Sequence, residues 1–215
     1  MKILALEFSS NQRSVAVVED GRIRGRAQDV GARGGRPLSM VESALREAGL
    51  EREQMDCLAV ALGPGSYAGI RSAIALAQGW QLALGTKTVG ISSVECLAAR
   101  AQAESIFGRV GVVIDALRDE FYLAVYEIRD KTFRETEPLR LVAKSDVDRL
   151  AGAVIVGPDV AKWFAKGREL FPDAAVIGQL ATARNDFVNA AKLEPIYLRE
   201  TSFVKAPPPR IIPAA

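Results

Sequence analysis

The sequence contains no histidine at all. That removes Ser-His and Cys-His nucleophiles, the HExxH zinc site and every imidazole metal ligand together. A hydrolase on this chain would need a less common chemistry. Cysteine is nearly as scarce: Cys57 and Cys96 lie in apolar segments without CxxC spacing and read as small, reduced core residues. Neither sign of charge is in excess, since 28 Lys and Arg stand against 26 Asp and Glu for a net charge of +2. Phosphate neutralisation supplies most of the affinity of a stand-alone nucleic-acid binder, so any RNA contact here calls for a partner. Long apolar runs are missing too. The run after Lys2 stops at Glu7, short of a signal peptide, and no window approaches the ~20 apolar residues of a membrane span. The expected location is the cytoplasm, with no membrane contact.

What is present describes a folded globular chain: 215 residues, 49% hydrophobic and 25% charged. Residues 3–6 read as a buried strand, residues 14–19 as a second, and Asp20-Gly21 as a two-residue hairpin turn into a third at residues 22–28. Gly31, Gly34, Gly35 and Pro37 mark a loop. Leu38, Val41, Leu45 and Ala48 then recur at helical spacing, and Gly49 closes that helix. An apolar strand at residues 57–62 leads into Gly63-Pro64-Gly65 and a long helix over residues 70–84. A further strand at residues 88–91 precedes a helix capped by Ser92 or Ser93, with Glu95 in its first turn, running to Ala103.

The second half repeats this plan. Residues 110–114 form a strand ending on Asp115, as residues 3–6 end on Glu7. A hairpin follows at residues 121–128 and 132–142, then a short helix capped by Ser145. A strand at residues 154–156 runs into Gly157-Pro158 and another helix, much as residues 58–62 run into Gly63-Pro64. The pattern suggests an internal duplication, with lobes at residues 1–106 and 107–200 and a Pro-rich extended tail at residues 201–215. Ordinary α/β alternation remains the other reading.

Two segments can carry function. Gly63, Pro64, Gly65, Ser66, Tyr67, Ala68, Gly69, Ile70 and Arg71 place three glycines between strand and helix, where exposed N–H groups attract anions. The spacing is neither G-x-G-x-x-G nor a Walker loop, so a tight structural turn is the stronger reading. The following helix has two apolar stripes. Ile70, Ala73, Ile74, Ala77 and Leu84 suffice to pack on a sheet. Ala75, Gly79 and Ala83 make a second stripe of small residues, with Leu76, Trp80 and Leu82 beside it. Such a helix is either buried within its own domain or shaped for a partner helix.

The stretch GPGSYAGIRSAIALAQGWQLA closely resembles the GPGSFTGLRxGxxxAKGLA signature of the TsaB (YeaZ) family, with Tyr67 and Ala68 replacing the usual Phe-Thr. Other landmarks agree in order: MKILALEFSS, VGISSVECLA, IDALRDEFYLAVY and EPIYLR. The resemblance runs from Met1 to about Arg199. It implies the α/β, two-lobed, duplicated ASKHA fold of actin and Hsp70, built on ribonuclease H-like lobes. It further implies a non-catalytic subunit that pairs with a TsaD-like enzyme and a TsaE-like ATPase, forming threonylcarbamoyladenosine (t6A) in ANN-decoding tRNAs, and that pairs with itself in isolation. The tRNA is met through the complex, and any ATP or metal belongs to partner subunits, with no cofactor in the isolated chain.

Carried onto this sequence, the resemblance puts the partner contact on Ile70, Ser72, Ala75, Leu76, Gly79, Trp80, Leu82 and Ala83. It leaves a vestigial nucleotide cleft at Glu7, Ser9, Ser10 and Asp115. Glu7 stands where the fold's phosphate motif has Asp, the adenine-binding double glycine is reduced to Gly157-Pro158, and Gly34, Gly35, Arg36 and Pro37 replace the metal-binding histidines of TsaD-like relatives. No metal is expected. Arg22, Arg24 and Arg26 alternate along the third strand and read either as a solvated row or as a tRNA contact. Asp115, Arg118, Asp119 and Glu120 read either as an acid cluster for metal or acid/base work or as an inherited lining of the cleft mouth. The rival classes are an ASKHA-type ATP-binding enzyme and an M22-like glycoprotease.

Overall fold

A computed structural model describes residues 1–31 and 36–199; the expectations for Gly34, Gly35 and the tail at residues 201–215 fall outside the described residues. The strands are β1 (Lys2–Glu7), β2 (Gln12–Glu19), β3 (Arg22–Val30), β4 (Cys57–Ala61), β5 (Lys87–Ile91), β6 (Gly108–Asp115), β7 (Glu120–Ile128), β8 (Phe133–Ala143), β9 (Val154–Gly157) and β10 (Arg168–Glu169). The helices are α1 (Pro37–Ala48), α2 (Tyr67–Leu84), α3 (Ser93–Ala103), α4 (Lys144–Asp148) and α5 (Ala174–Thr182).

The strands form two five-stranded sheets, ordered β3-β2-β1-β4-β5 and β8-β7-β6-β9-β10. Each begins as an antiparallel meander of three strands and continues with two parallel strands added beside the first. Identical order and polarity in both halves is the duplicated two-lobed ASKHA plan. Local chemistry sets the turns: Asp20 and Gly21 both take positive φ in the β2–β3 hairpin, and Gly49 closes α1 in the left-handed region.

One face of the first sheet packs Leu4, Leu6, Leu58 and Val60 against Val41 and Ala44 of α1 and Ile70, Ala73 and Ala77 of α2. Helix α3 lies between the lobes. Its Cys96 joins the core of the first sheet, while Leu97, Ala98 and Ala101 join Val110, Val112 and Ile114 of the second.

Several expectations change. Helix α2 starts at Tyr67 rather than Ile70, because Ser66 caps it and its Oγ accepts the Gly69 N–H at 3.4 Å. Ser145 lies inside α4 instead of capping it; the Asp146 carboxylate accepts the Ala143 N–H at 3.2 Å. Ser92 caps α3, through its Oγ and the Val94 N–H at 3.3 Å. The helix expected after Gly157-Pro158 is one 3-10 turn, Val160–Lys162.

The range 107–200 does not act as one lobe. After β10 the chain returns to the first sheet, where Ala174, Ala175, Ile177 and Ala181 of α5 bury against Ile3, Ala5 and Val18. Ser14 Oγ accepts the Ala174 N–H at 2.9 Å, and Asp173 caps the helix through the Ala175 N–H at 2.7 Å. AAVIGQLAT is apolar on most sides, so it specifies burial without saying on which sheet. Since Ile177 is fully buried there, Ile177→Ala should cost about 2–5 kcal/mol. A denaturant titration should show this in one transition shared by both lobes.

Candidate functional site

The glycine-rich turn is a packing device. A Cβ at Gly65 would lie 2.2 Å from the Ser9 carbonyl oxygen, and one at Gly69 would lie 1.9 Å from that of Phe8. Only glycine admits so close a backbone approach. The Ser66 N–H donates to Ser9 O at 2.7 Å, and the Ser93 N–H donates to Gly63 O at 2.8 Å. Pro64 follows a cis peptide bond. Gly63, Pro64, Gly65, Ser66 and Gly69 thus lock the start of α2 onto the end of β1 and the start of α3, while Tyr67 and Arg71 face outward. The Arg71 guanidinium donates to Tyr67 Oη at 2.9 Å.

That lock fixes the roll of α2. Ile70, Ala73, Ile74 and Ala77 turn inward and are buried. Ala75, Gly79 and Ala83 turn outward and are exposed, and a Cβ added at Gly79 would meet no atom within 4 Å. Leu82 is 90% exposed. Two grooves flank this ridge. On the α1 side one of about 410 Å³ is lined by Leu38, Val41, Leu76 and Trp80, with Arg52 and Glu53 at its rim. The other, of about 680 Å³, runs between α2 and the segment 193–197, past Tyr67, Arg71, Gln78, Glu194 and Tyr197. The Tyr67 and Tyr197 rings meet at 5.8 Å.

Of the expected contact residues, Ala75, Gly79, Leu82 and Ala83 are exposed, and Ser72 and Leu76 are half-buried. Ile70 is a correction: it is buried in the first lobe's core, because the helix is rolled to send positions 70, 73 and 77 inward, whereas Trp80 packs on that core yet also lines the groove on the α1 side. Leu84 and Leu38, expected to pack inward, are 41% and 62% exposed. Leu193, Pro195 and Tyr197 were not anticipated as neighbours of the ridge. Nothing local in EPIYLR signals that this segment lies beside α2.

The arginine row is not a row. A β-bulge between Val17 and Val18 pairs Val17 with Gly25 and Val18 with Ile23, leaving Arg24 as the extra residue. Alternation is therefore reset, so that Arg22 and Arg26 project to opposite faces. Arg24 pairs with Glu19 at 3.7 Å and Arg26 with Asp173 at 3.5 Å.

Ser9, Ser10 and Asp115 line a trough between the lobes together with Asn11, Arg13 and Asp159. Glu7 does not reach it. Its carboxyl is fully buried beneath Ser9, accepting the Ser9 N–H at 2.5 Å and the Ser93 hydroxyl at 3.3 Å. Asp115 Oδ1 accepts the Leu117 N–H at 2.7 Å, and Glu120 pairs with Arg199 at 2.6 Å. These acids hold the β6–β7 turn, where Leu117, Arg118 and Asp119 all take positive φ. Among the described residues no group of three or more acidic or cysteine side chains converges to hold a metal, and no helix is long and apolar enough to cross a membrane.

This geometry defines a two-lobed ASKHA-class protein with an open apolar helix face and a polar cleft. The family described as TsaD, tRNA N6-adenosine threonylcarbamoyltransferase, matches residues 36–209. The chain is 29% identical to the tRNA threonylcarbamoyladenosine biosynthesis protein TsaB of Escherichia coli, covering 93% of this chain and 95% of that one. It is 32% identical to TsaB of Haemophilus influenzae over 58% of this chain and 53% of the relative. The solved structure of YeaZ from Pseudomonas aeruginosa superposes with a TM-score of 0.79 at 29% identity, covering 92% of this chain and 99% of that one. The chain belongs to the TsaB/YeaZ family, within this wider TsaD-related group.

Burial pushes the Glu7 carboxyl up from 4.5 to about 7, against the opposing hydrogen bonds from Ser9 and Ser93; the nearby Asp173 charge adds to the rise. The folded chain therefore holds a proton that the unfolded chain releases. Stability from this group is full below about pH 4.5 and falls as pH rises to about 7, by roughly 3 kcal/mol. Glu7→Gln keeps an acceptor for the Ser9 N–H and removes the ionisation. Denaturation midpoints measured across pH 4–8 should lose that part of their slope.

Proposed function

We propose that this chain is a non-catalytic subunit in the formation of threonylcarbamoyladenosine on tRNA. In this reading the outer face of α2 seats a TsaD-like catalytic subunit, a TsaE-like ATPase joins the pair, and a second copy of this chain occupies the face when the enzyme is absent. The observation that carries the reading is the unburied ridge of Ala75, Gly79 and Ala83, where even a Cβ at Gly79 would meet nothing within 4 Å. Small side chains let two helix backbones approach closely. Beside the ridge, Leu82 and Leu84 expose apolar surface, while Arg52, Glu53, Arg71 and Glu194 rim the two grooves. An apolar centre with a charged rim is the anatomy of a specific interface.

The names of the relatives place them in tRNA threonylcarbamoyladenosine biosynthesis. The non-catalytic part of the reading draws on the absence of histidine and on Glu7, which is buried rather than facing the cleft. Loss of the gene should lower t6A in bulk tRNA, and return of the gene should restore it. Unchanged t6A in the deletion strain would count against the pathway assignment.

Two substitutions test the face. Gly79→Arg should leave the monomer folded, because the site is open, but should weaken pairing by two orders of magnitude or more, since an unpaired buried charge costs roughly 3–5 kcal/mol. Glu53 lines the adjoining groove and could receive that charge, so Gly79→Phe, which separates the helices by bulk alone, should give the same outcome. Sedimentation with and without the TsaD-like subunit, alongside thermal melting, reads both. Variants that still pair would remove this face as the interface; variants that fail to fold would assign it to the chain's own core.

A further inference from the structure

The two lobes share a strand plan but are not covered alike. In the first, β4 is followed by the 18-residue α2, which with α1 covers one sheet face. In the second, β9 is followed by one 3-10 turn, Val160–Lys162, then Trp163 and Phe164. The matching face, built on Val113, Leu123 and Val125, is covered by Val160, Phe164 and Val147 of the five-residue α4. This thinner cover leaves a groove of about 680 Å³ with Leu150, Ile155 and Phe164 in its lining and Lys144, Lys166 and Arg168 among them.

Trp163 lines both this groove and the trough of about 500 Å³ between the lobes. The residue is 37% exposed, and its ring is held edge-on by Phe121 at 5.5 Å. The trough adds Arg13 and Lys162. The two cavities thus contain five cations, with Asp115, Asp148 and Asp159 as their carboxylates. Lys144 and Lys162 are paired with Asp148 and Asp159, at 2.9 and 3.0 Å. Arg13, Lys166 and Arg168 form no ion pair with a described residue. A braced, exposed indole with available cations on both sides can stack a base while the adjoining phosphates follow the charges.

We propose that Trp163, with Arg13 on one side and Lys166 and Arg168 on the other, is a contact for single-stranded RNA. The proposal rests on the reading of this chain as part of a tRNA-modifying assembly, and adds to it a surface that shares no lining residue with the α2 ridge. Stacking requires an unpaired base, so a duplex should be the poorer ligand. An acidic peptide would use the cations but gain nothing from the indole.

The test uses the full chain and a labelled single-stranded RNA of about 12 nucleotides at low salt, followed by anisotropy. Wild type should bind weakly and prefer this RNA to a duplex of the same length. Trp163→Ala should weaken binding about tenfold, whereas Trp163→Phe should retain most of it and show that the fold is intact. Lys166→Glu with Arg168→Glu should weaken binding and flatten its dependence on salt. Unchanged affinity in Trp163→Ala, or equal binding of the duplex, overturns the proposal. Competition by polyglutamate as effective as by RNA also overturns it and points to an acidic protein partner. Sedimentation of the same variants with the TsaD-like subunit separates the two readings. Intact pairing alongside lost RNA binding supports the surface; failure of even the wild type to pair defeats the assembly while leaving the RNA measurement valid.

Discussion

The close approach of the Gly63–Gly69 turn to the backbone of Phe8 and Ser9 governs the rest of the molecule. At Gly65 and Gly69 the carbonyl oxygens of Ser9 and Phe8 occupy space that any Cβ would need. The Ser66 N–H to Ser9 carbonyl bond then sets the register of this contact. A helix pinned this way at its first turn can neither slide nor roll. Ile70, Ala73 and Ala77 must enter the core, and Ala75, Gly79 and Ala83 must leave it. The open face is a geometric consequence of the glycines, not only of the helix's own composition.

Between the lobes, α3 does the joining, and α5 brings the chain back from the second sheet onto the first. Cys96 and Leu97 are neighbours in sequence yet belong to the cores of different sheets. Buried at the same junction, Glu7 takes the Ser93 hydroxyl at the start of α3, while Ser14 on β2 takes the first N–H of α5. A charge at Glu7 would be a defect in the first lobe's interior, and its raised proton affinity keeps it largely neutral below neutral pH. With the lobes tied through these contacts, the α2 ridge and the Trp163 surface belong to one frame.

Much of this was legible from residue chemistry. Asp20-Gly21 and Gly49 declare their turns because each needs positive φ, and the repeated strand, hairpin and Gly-Pro pattern reflects two sheets of the same order. The second stripe on α2 was visible as small residues at i+4 spacing. Contacts between distant segments were not. Helix α5 carries apolar residues with no address, and the segment at 193–197 reaches α2 from more than 100 positions away. The bulge at Arg24 was hidden for a different reason: one extra residue reverses the facing of the rest of a strand, and nothing in RIRGR marks it. Glu7 misled because its partner Ser93 lies 86 residues away.

A ridge of alanine and glycine has a particular advantage for a chain proposed to exist both alone and paired. Exposed apolar surface costs about 25 cal/mol per Å². Side chains of one carbon or none keep that cost low in the unpaired state, where a leucine ridge would drive indiscriminate association. The same small size permits close backbone packing once a shaped partner arrives, with dispersion contacts accumulating along the helix. Leu82 departs from this economy, being 90% exposed at one edge of the face. It is the side chain with the most to gain from a covering surface. The proposed self-pairing and enzyme pairing then compete for one face, so the balance between them follows the concentration of each partner.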